Sequence, residues 1–169
     1  MIIRPAHVEE ISEGLPPRDL VLANASLKAL TVASEITGDL VLGADTVVVL
    51  DGKILGKPRD MGDAAEMLWS LAGKTHEVFT GVCMLRGGSM ARCQFVESTR
   101  VSFRSLDEAT ITSYLAEINP LDKAGAYAAQ EDQGRLIERI EGSLENVIGL
   151  PVARVVSAIE QHFTEAAAG

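Results

Sequence analysis

The chain has 169 residues, 47% hydrophobic and 23% charged, the size of one domain able to bury about two-thirds of its unfolded surface. Its net charge of −9 and pI near 4.8 argue against a general nucleic-acid or anionic-membrane surface. Polyanion binding is left to a local Lys/Arg cluster or a divalent metal. The two cysteines, Cys83 and Cys93, supply no disulfide framework, and no apolar run approaches the ~20 residues a membrane helix needs. With no signal-peptide pattern, the expectation is a cytoplasmic protein.

In chain order, Met1-Ile-Ile-Arg-Pro reads as a strand from residue 2. Ala6 to Gly14 follows as a loop carrying His7, Glu9, Glu10 and Glu13. Such a carboxylate group is either a solvated acidic loop or a site for a hard cation. Pro16 or Pro17 opens a helix running to about Ile36 and ending at Gly38. On it Lys28 shares a face with Val21, Ala25 and Val32, so its ammonium either snorkels to the rim or points into a site.

Leu40 to Pro58 is the most informative stretch. A run rich in β-branched residues admits one carboxylate, Asp45, which is costly to bury unless a cation, hydrogen bonds or an open cleft compensates. The alternative is an Asp capping a local turn. Gly43 and Ala44 just before it permit a close approach of backbone or ligand. Asp51-Gly52 is a two-residue hairpin signal, and the return strand delivers Lys57 before Pro58 stops pairing.

Asp60 and Gly73 bracket a scaffold helix with an apolar stripe of Met61, Ala64, Ala65, Leu68, Leu71 and Ala72, Trp69 lying outside it. Two long strands, Lys74 to Arg86 and Ser89 to Arg104, meet at Gly87-Gly88. Asp107 caps a further helix ended by Asn119-Pro120. Leu121 to Gln130 reads as a tight loop bringing Asp122, Lys123 and Gln130 near a cleft. Arg135 to Ile140 is a strand, and Glu141 to Asn146 a turn-like loop. Pro151 opens a last helix with Val152, Val155, Val156, Ile159 and Phe163 inward. The fold class is α/β with a mixed, twisted central sheet and flanking helices, one domain over residues 1–163 and a frayed tail over 164–169.

The candidate site groups are Asp45, a carboxylate from Glu9 or Glu10, Lys28, Lys57 and Gln130. Carboxylates with lysines suit a metal-bound polyphosphate, since Mg²⁺ takes one or two protein carboxylates and completes its shell with phosphate oxygens and water. A carboxylate can also position or deprotonate an attacking water. No Walker loop, Rossmann fingerprint, nucleophile motif or zinc spacing competes.

Gly43-Ala44-Asp45-Thr46-Val47-Val48, Gly56-Lys57-Pro58, Thr75-His76-Glu77-Val78, Asp122-Lys123-Ala124-Gly125-Ala126-Tyr127 through Gln130, and Gly149-Leu150-Pro151 occur in this order. In that order they resemble the Maf family of nucleoside triphosphate pyrophosphatases, over about residues 5 to 163. The resemblance implies a Maf/Ham1-like (ITPase-like) α/β fold, hydrolysis of NTPs to NMP and pyrophosphate, and a divalent cofactor, Mg²⁺ or Mn²⁺. It makes Asp45 the proton acceptor or a metal-binding partner and Glu10 a metal-associated carboxylate. Lys28, in the pair Lys28-Ala29, and Lys57 match phosphate-contacting lysines, and Thr46 and Gln130 positions tied to substrate choice. Their identities look like the branch acting on dTTP and UTP, with modified pyrimidine nucleotides as further candidates. The same likeness suggests a homodimer, since the family often dimerises, while the acidic charge and the lack of a long apolar run argue against nucleic acid or membrane as partner. A non-catalytic nucleotide-binding protein acting in septum and cell-division control is the alternative. Family members open with a strand and a Ser-x-Ser-Pro-Arg-Arg turn leading into a helix, absent from this sequence. Either the start codon lies upstream, with Met1 an internal methionine, or the protein is a true truncation; the first is the expectation, with weak or no activity for the chain as it stands.

Overall fold

A computed structural model describes residues 2–4, 6–88 and 91–163. Helices α1 (Pro17–Ala33), α2 (Met61–Leu71), α3 (Glu108–Glu117), α4 (Leu144–Ile148) and α5 (Val152–His162) surround strands β1 (Leu40–Leu50), β2 (Lys53–Leu55), β3 (Thr75–Arg86), β4 (Arg92–Phe103) and β5 (Ile137–Glu141). The strands form a five-stranded sheet in the order β2-β1-β3-β4-β5. The α/β class, the twisted sheet and the flanking helices are as the sequence predicts. A mixed sheet is not what the described strands make, because their pairs run antiparallel. β1 pairs with β2 and β4 with β5 in that sense. Gly38 and Asp39, at the start of β1, bond to Gly87 beyond the end of β3. Tight turns make the β1–β2 and β3–β4 connections, and neither turn can join parallel neighbours.

The chain forms two compact units: Met1–Asp45, Thr80–Glu97 and Gly149–Gly169 make the first, Thr46–Phe79 and Ser98–Ile148 the second. In the first, β3 alternates. Cys83 and Leu85 join Ala25, Ala29, Ala33 and Val41 in one apolar cluster, while Val82 and Met84 join Val155, Ala158 and Phe163 in another. Burying each such large side chain contributes about 1.5–3 kcal/mol. Helix α1 starts at Pro17, whose missing N–H costs nothing in the first turn. It then lies on bare strand backbone. A Cβ at Gly43 would meet the Ala25 carbonyl at 2.3 Å, and one at Gly81 the Val21 carbonyl at 2.4 Å. Only glycine permits that approach.

In the second unit the Asp51-Gly52 turn has positive φ at both residues, 50° and 79°, and aligns Val48 with Leu55 and Leu50 with Lys53. Asp60 and Asp107 cap α2 and α3 by accepting from the Asp63 and Thr110 amides, each at 2.8 Å. The core includes Leu68, Leu71, Val78, Val101, Ile111, Tyr114 and Leu136 around an edge-to-face trio of His76, Phe103 and Tyr127.

Several elements depart from the sequence reading. Ile2, Ile3 and Arg4 form no strand, and both isoleucines are exposed; Met1 and Pro5 lie outside the described residues. β-branched residues make a strand only where a neighbour pairs with them. The Glu141–Asn146 loop instead begins helix α4, which buries Asn146 against the Val78 carbonyl and Thr99 Oγ1. On α5, Val155 and Phe163 point inward with Ala158, but Val152 and Val156 are exposed. Val155, Ala158 and Phe163 pack on Val82 and Met84, and on the exposed side Arg154 stacks on Phe95 and pairs with Glu97. Trp69, read as lying outside the α2 stripe, is about half exposed. Ser89, Met90 and the tail 164–169 lie outside the described residues.

Candidate functional site

The first unit carries a polar cluster built where α1 crosses β1. Gly43 and Asp45 are two residues apart on β1 and share a face. The glycine lets α1 settle on the strand, which puts Asp45 beside Asn24 and Lys28, one helical turn apart. Lys28 Nζ donates to Asp45 Oδ1 at 2.7 Å and meets Glu10 Oε1 at 2.8 Å. Its third donor reaches the Ala44 carbonyl at 3.4 Å. Asp45 is 9% exposed at its side chain, Lys28 21% and Glu10 42%. Burial alone would lower the lysine pKa, but the hydrogen bonds and charges of Asp45 and Glu10 outweigh it and hold the ammonium above its ordinary range.

Asn24 completes the cluster and was not singled out from the sequence. Its Nδ2 donates to Asp45 Oδ2 at 3.1 Å and to the Ile11 carbonyl at 2.9 Å, while its Oδ1 accepts from the Ile11 amide at 2.8 Å. The available signal was a polar residue on an otherwise apolar helix face, one turn before Lys28. Its partner could not be guessed, because Ile11 sits in a segment with no regular structure.

Of the predicted site residues, Glu10, Lys28 and Asp45 are brought together here. Thr46 follows Asp45 in the chain and belongs to the second unit, as do Lys57 and Gln130. Lys57 and Gln130 are exposed. Their loops are tied to each other, since the Gly56 carbonyl accepts from the Gly125 amide at 3.0 Å. The other motif residues of that unit are internal supports. His76 Nε2 bonds to the Tyr127 hydroxyl at 2.9 Å, linking two motifs through the core. Burial pushes the His76 pKa down to about 4 and raises that of Tyr127. Gly125, at φ +69°, packs on Val48 where a Cβ would come within 2.9 Å. Asp132 is a buried carboxylate that accepts from the Leu136 amide at 2.8 Å and from those of Gly134 and Ile137 at 3.1 Å, setting the entry to β5.

Among the described residues, no group of three or more His, Cys, Asp or Glu is placed to hold a metal ion. The pair Glu10 and Asp45 nonetheless suits a hard divalent cation. Both carboxylates converge on one point of positive charge, the Lys28 ammonium, and two protein carboxylates are what an ion completed by phosphate and water needs. Also among the described residues, no helix is long and apolar enough to cross a membrane.

Comparison with known proteins agrees with the motif order. The family model described as Maf-like protein matches residues 1–162. A protein of Anaeromyxobacter dehalogenans (strain 2CP-1) named dTTP/UTP pyrophosphatase is 47% identical over 162 residues, covering 94% of this chain and 81% of that relative. Proteins of the same name from Bacillus cytotoxicus and Pyrococcus abyssi are 43% and 40% identical, covering 91% and 95% of this chain and 82% and 85% of their own lengths. A family match over nearly the whole chain, relatives at this identity, and motifs in family order lead to one assignment: the chain belongs to the Maf family.

Proposed function

We infer that this protein is a nucleoside triphosphate pyrophosphatase that converts dTTP and UTP to the monophosphate and pyrophosphate, with Asp45 at the reaction centre. The observation that carries this reading is the convergence of Asp45, Glu10 and Lys28, in a chain 40–47% identical to proteins named dTTP/UTP pyrophosphatase. Asp45 takes the proton of a water whose oxygen attacks the α-phosphorus. The bond from that phosphorus to the bridging oxygen breaks, and pyrophosphate leaves with the bonding pair. Glu10 and Asp45 would hold a divalent cation, Mg²⁺ or Mn²⁺, which when bound neutralises phosphate charge. Lys28 and Lys57 act on the phosphate oxygens as point charges. Thr46 and Gln130 select the pyrimidine, the hydroxyl and the amide each offering a donor and an acceptor. Placement in the cytoplasm as a homodimer completes the proposal.

The test is pyrophosphate release from dTTP and UTP, set against the purine triphosphates, in the wild type and in Asp45→Asn. Release from the pyrimidines, at the weak rate that the sequence leads us to expect, falling at least a hundredfold in the variant is the expected result. Nucleotide binding that survives Asp45→Asn, with no pyrophosphate from the wild type, would instead identify a binding protein.

A further inference from the structure

The Asn24 side chain is 98% buried and uses both donors and its acceptor on only two partners, Ile11 and Asp45. Its bonds to Ile11 form a two-point clamp on the backbone next to Glu10 in the chain. The remaining bond occupies Asp45 Oδ2 and leaves Oδ1 to face Lys28. One amide thus fixes which carboxylate oxygen of Asp45 is presented and where the Glu10 segment sits relative to it. The α1 backbone that carries Asn24 packs directly on Gly43 of β1, without an intervening side chain.

We propose that Asn24 is a positioning residue of the reaction centre, setting the separation of Glu10 from Asp45 and the orientation of the Asp45 carboxylate. The inference rests on Asp45 being that centre. Partners one layer behind metal-binding or reacting carboxylates typically cost 10–100-fold in metal affinity or activity when removed. A residue serving only the packing of α1 would lower stability and leave both quantities alone.

The experiment uses the full chain with Asn24→Ala and, as a milder change, Asn24→Ser. Three quantities are read: Mn²⁺ affinity of the nucleotide-free protein by electron paramagnetic resonance, kcat and KM for dTTP, and amide exchange at Ile11. Expected for Asn24→Ala are a Mn²⁺ affinity lower by at least about tenfold and a kcat lower by at least about tenfold. With Mn²⁺ held saturating for each protein, KM should move by less than about threefold, since Asn24→Ala removes neither lysine proposed for the phosphates and neither residue proposed for the base. In the wild type, the Ile11 amide should exchange at least about a hundredfold more slowly than those of Glu9 and Glu13, and lose that protection in the variant. A folded variant with Mn²⁺ affinity and kcat both within about threefold of wild type overturns the proposal. So does an unprotected Ile11 amide in the wild type, a measurement that needs no variant to fold. If the wild type releases no pyrophosphate from dTTP or UTP, the assignment of activity fails, while the Mn²⁺ and exchange measurements still decide the role of Asn24.

Discussion

Replacing Lys28 by Met keeps most of the length of the side chain and removes the ammonium that, among the described residues, is bonded to both Glu10 and Asp45. Asp45, 9% exposed, then keeps Asn24 but loses its counter-charge. Breaking a buried pair in this way costs about 3–5 kcal/mol. The Glu10 arm, 42% exposed, is screened by water and adds only a few tenths. Because Lys28 itself is 21% exposed, we expect a net loss of about 2–3 kcal/mol. In a domain of this size that lowers the melting temperature by about 5–10 °C. The same change leaves two carboxylates facing an empty point, so divalent ions should restore stability. An ion at a hundred times its Kd returns about 2.7 kcal/mol. Thermal unfolding of wild type and Lys28→Met, each with and without millimolar Mn²⁺, reads both effects. The reasoning fails if the variant melts within 2 °C of wild type, or if Mn²⁺ raises both proteins equally.

Three further outcomes follow from the packing. Gly43→Ala drives a methyl into the Ala25 carbonyl, 2.3 Å away, so α1 has to lift; denaturant titration should show a loss of about 1–3 kcal/mol, with pyrophosphate release falling because Lys28 and Asn24 move with the helix. His76 is neutral when folded down to about pH 4, whereas the unfolded chain takes up that proton near pH 6.5. Its contribution is therefore complete above pH 6.5 and lost as pH falls toward 4, about 3 kcal/mol in all; a His76→Gln variant with the same pH slope as wild type over that interval would refute this. Asp132→Asn swaps an acceptor oxygen for a donor against amides already pointing at it, and urea unfolding should show a loss of about 1–3 kcal/mol.

Much of the site was legible because its chemistry is local. A lone carboxylate in a valine-rich strand announces a compensating partner, and helical spacing put Lys28 on the buried face of α1. The hairpin at Asp51-Gly52 and the caps at Asp60 and Asp107 follow from single-residue conformational and hydrogen-bonding preferences, so they too came through. Asn24 did not, because its function is defined by Ile11, thirteen residues away in a stretch with no periodicity. The roll of α5 departs from the sequence reading for a related reason: its valines occupy two adjoining faces, and the face that is buried is the one that meets Val82 and Met84 of β3. The N-terminal isoleucines show the limit of propensity, which favours a strand without supplying a partner for it. His76 and Tyr127 were visible as motif members, but their bond across the core joins segments about fifty residues apart.

The ammonium shared by Glu10 and Asp45 also determines the sign of the field a nucleotide meets. These three side chains, two carboxylates against one lysine, carry a balance of −1, which by itself repels a triphosphate. Adding a divalent ion takes that balance to +1. If the proposed site holds such an ion, nucleotide and ion would promote each other's arrival, and a triphosphate stripped of its cation would meet repulsion from Glu10 and Asp45.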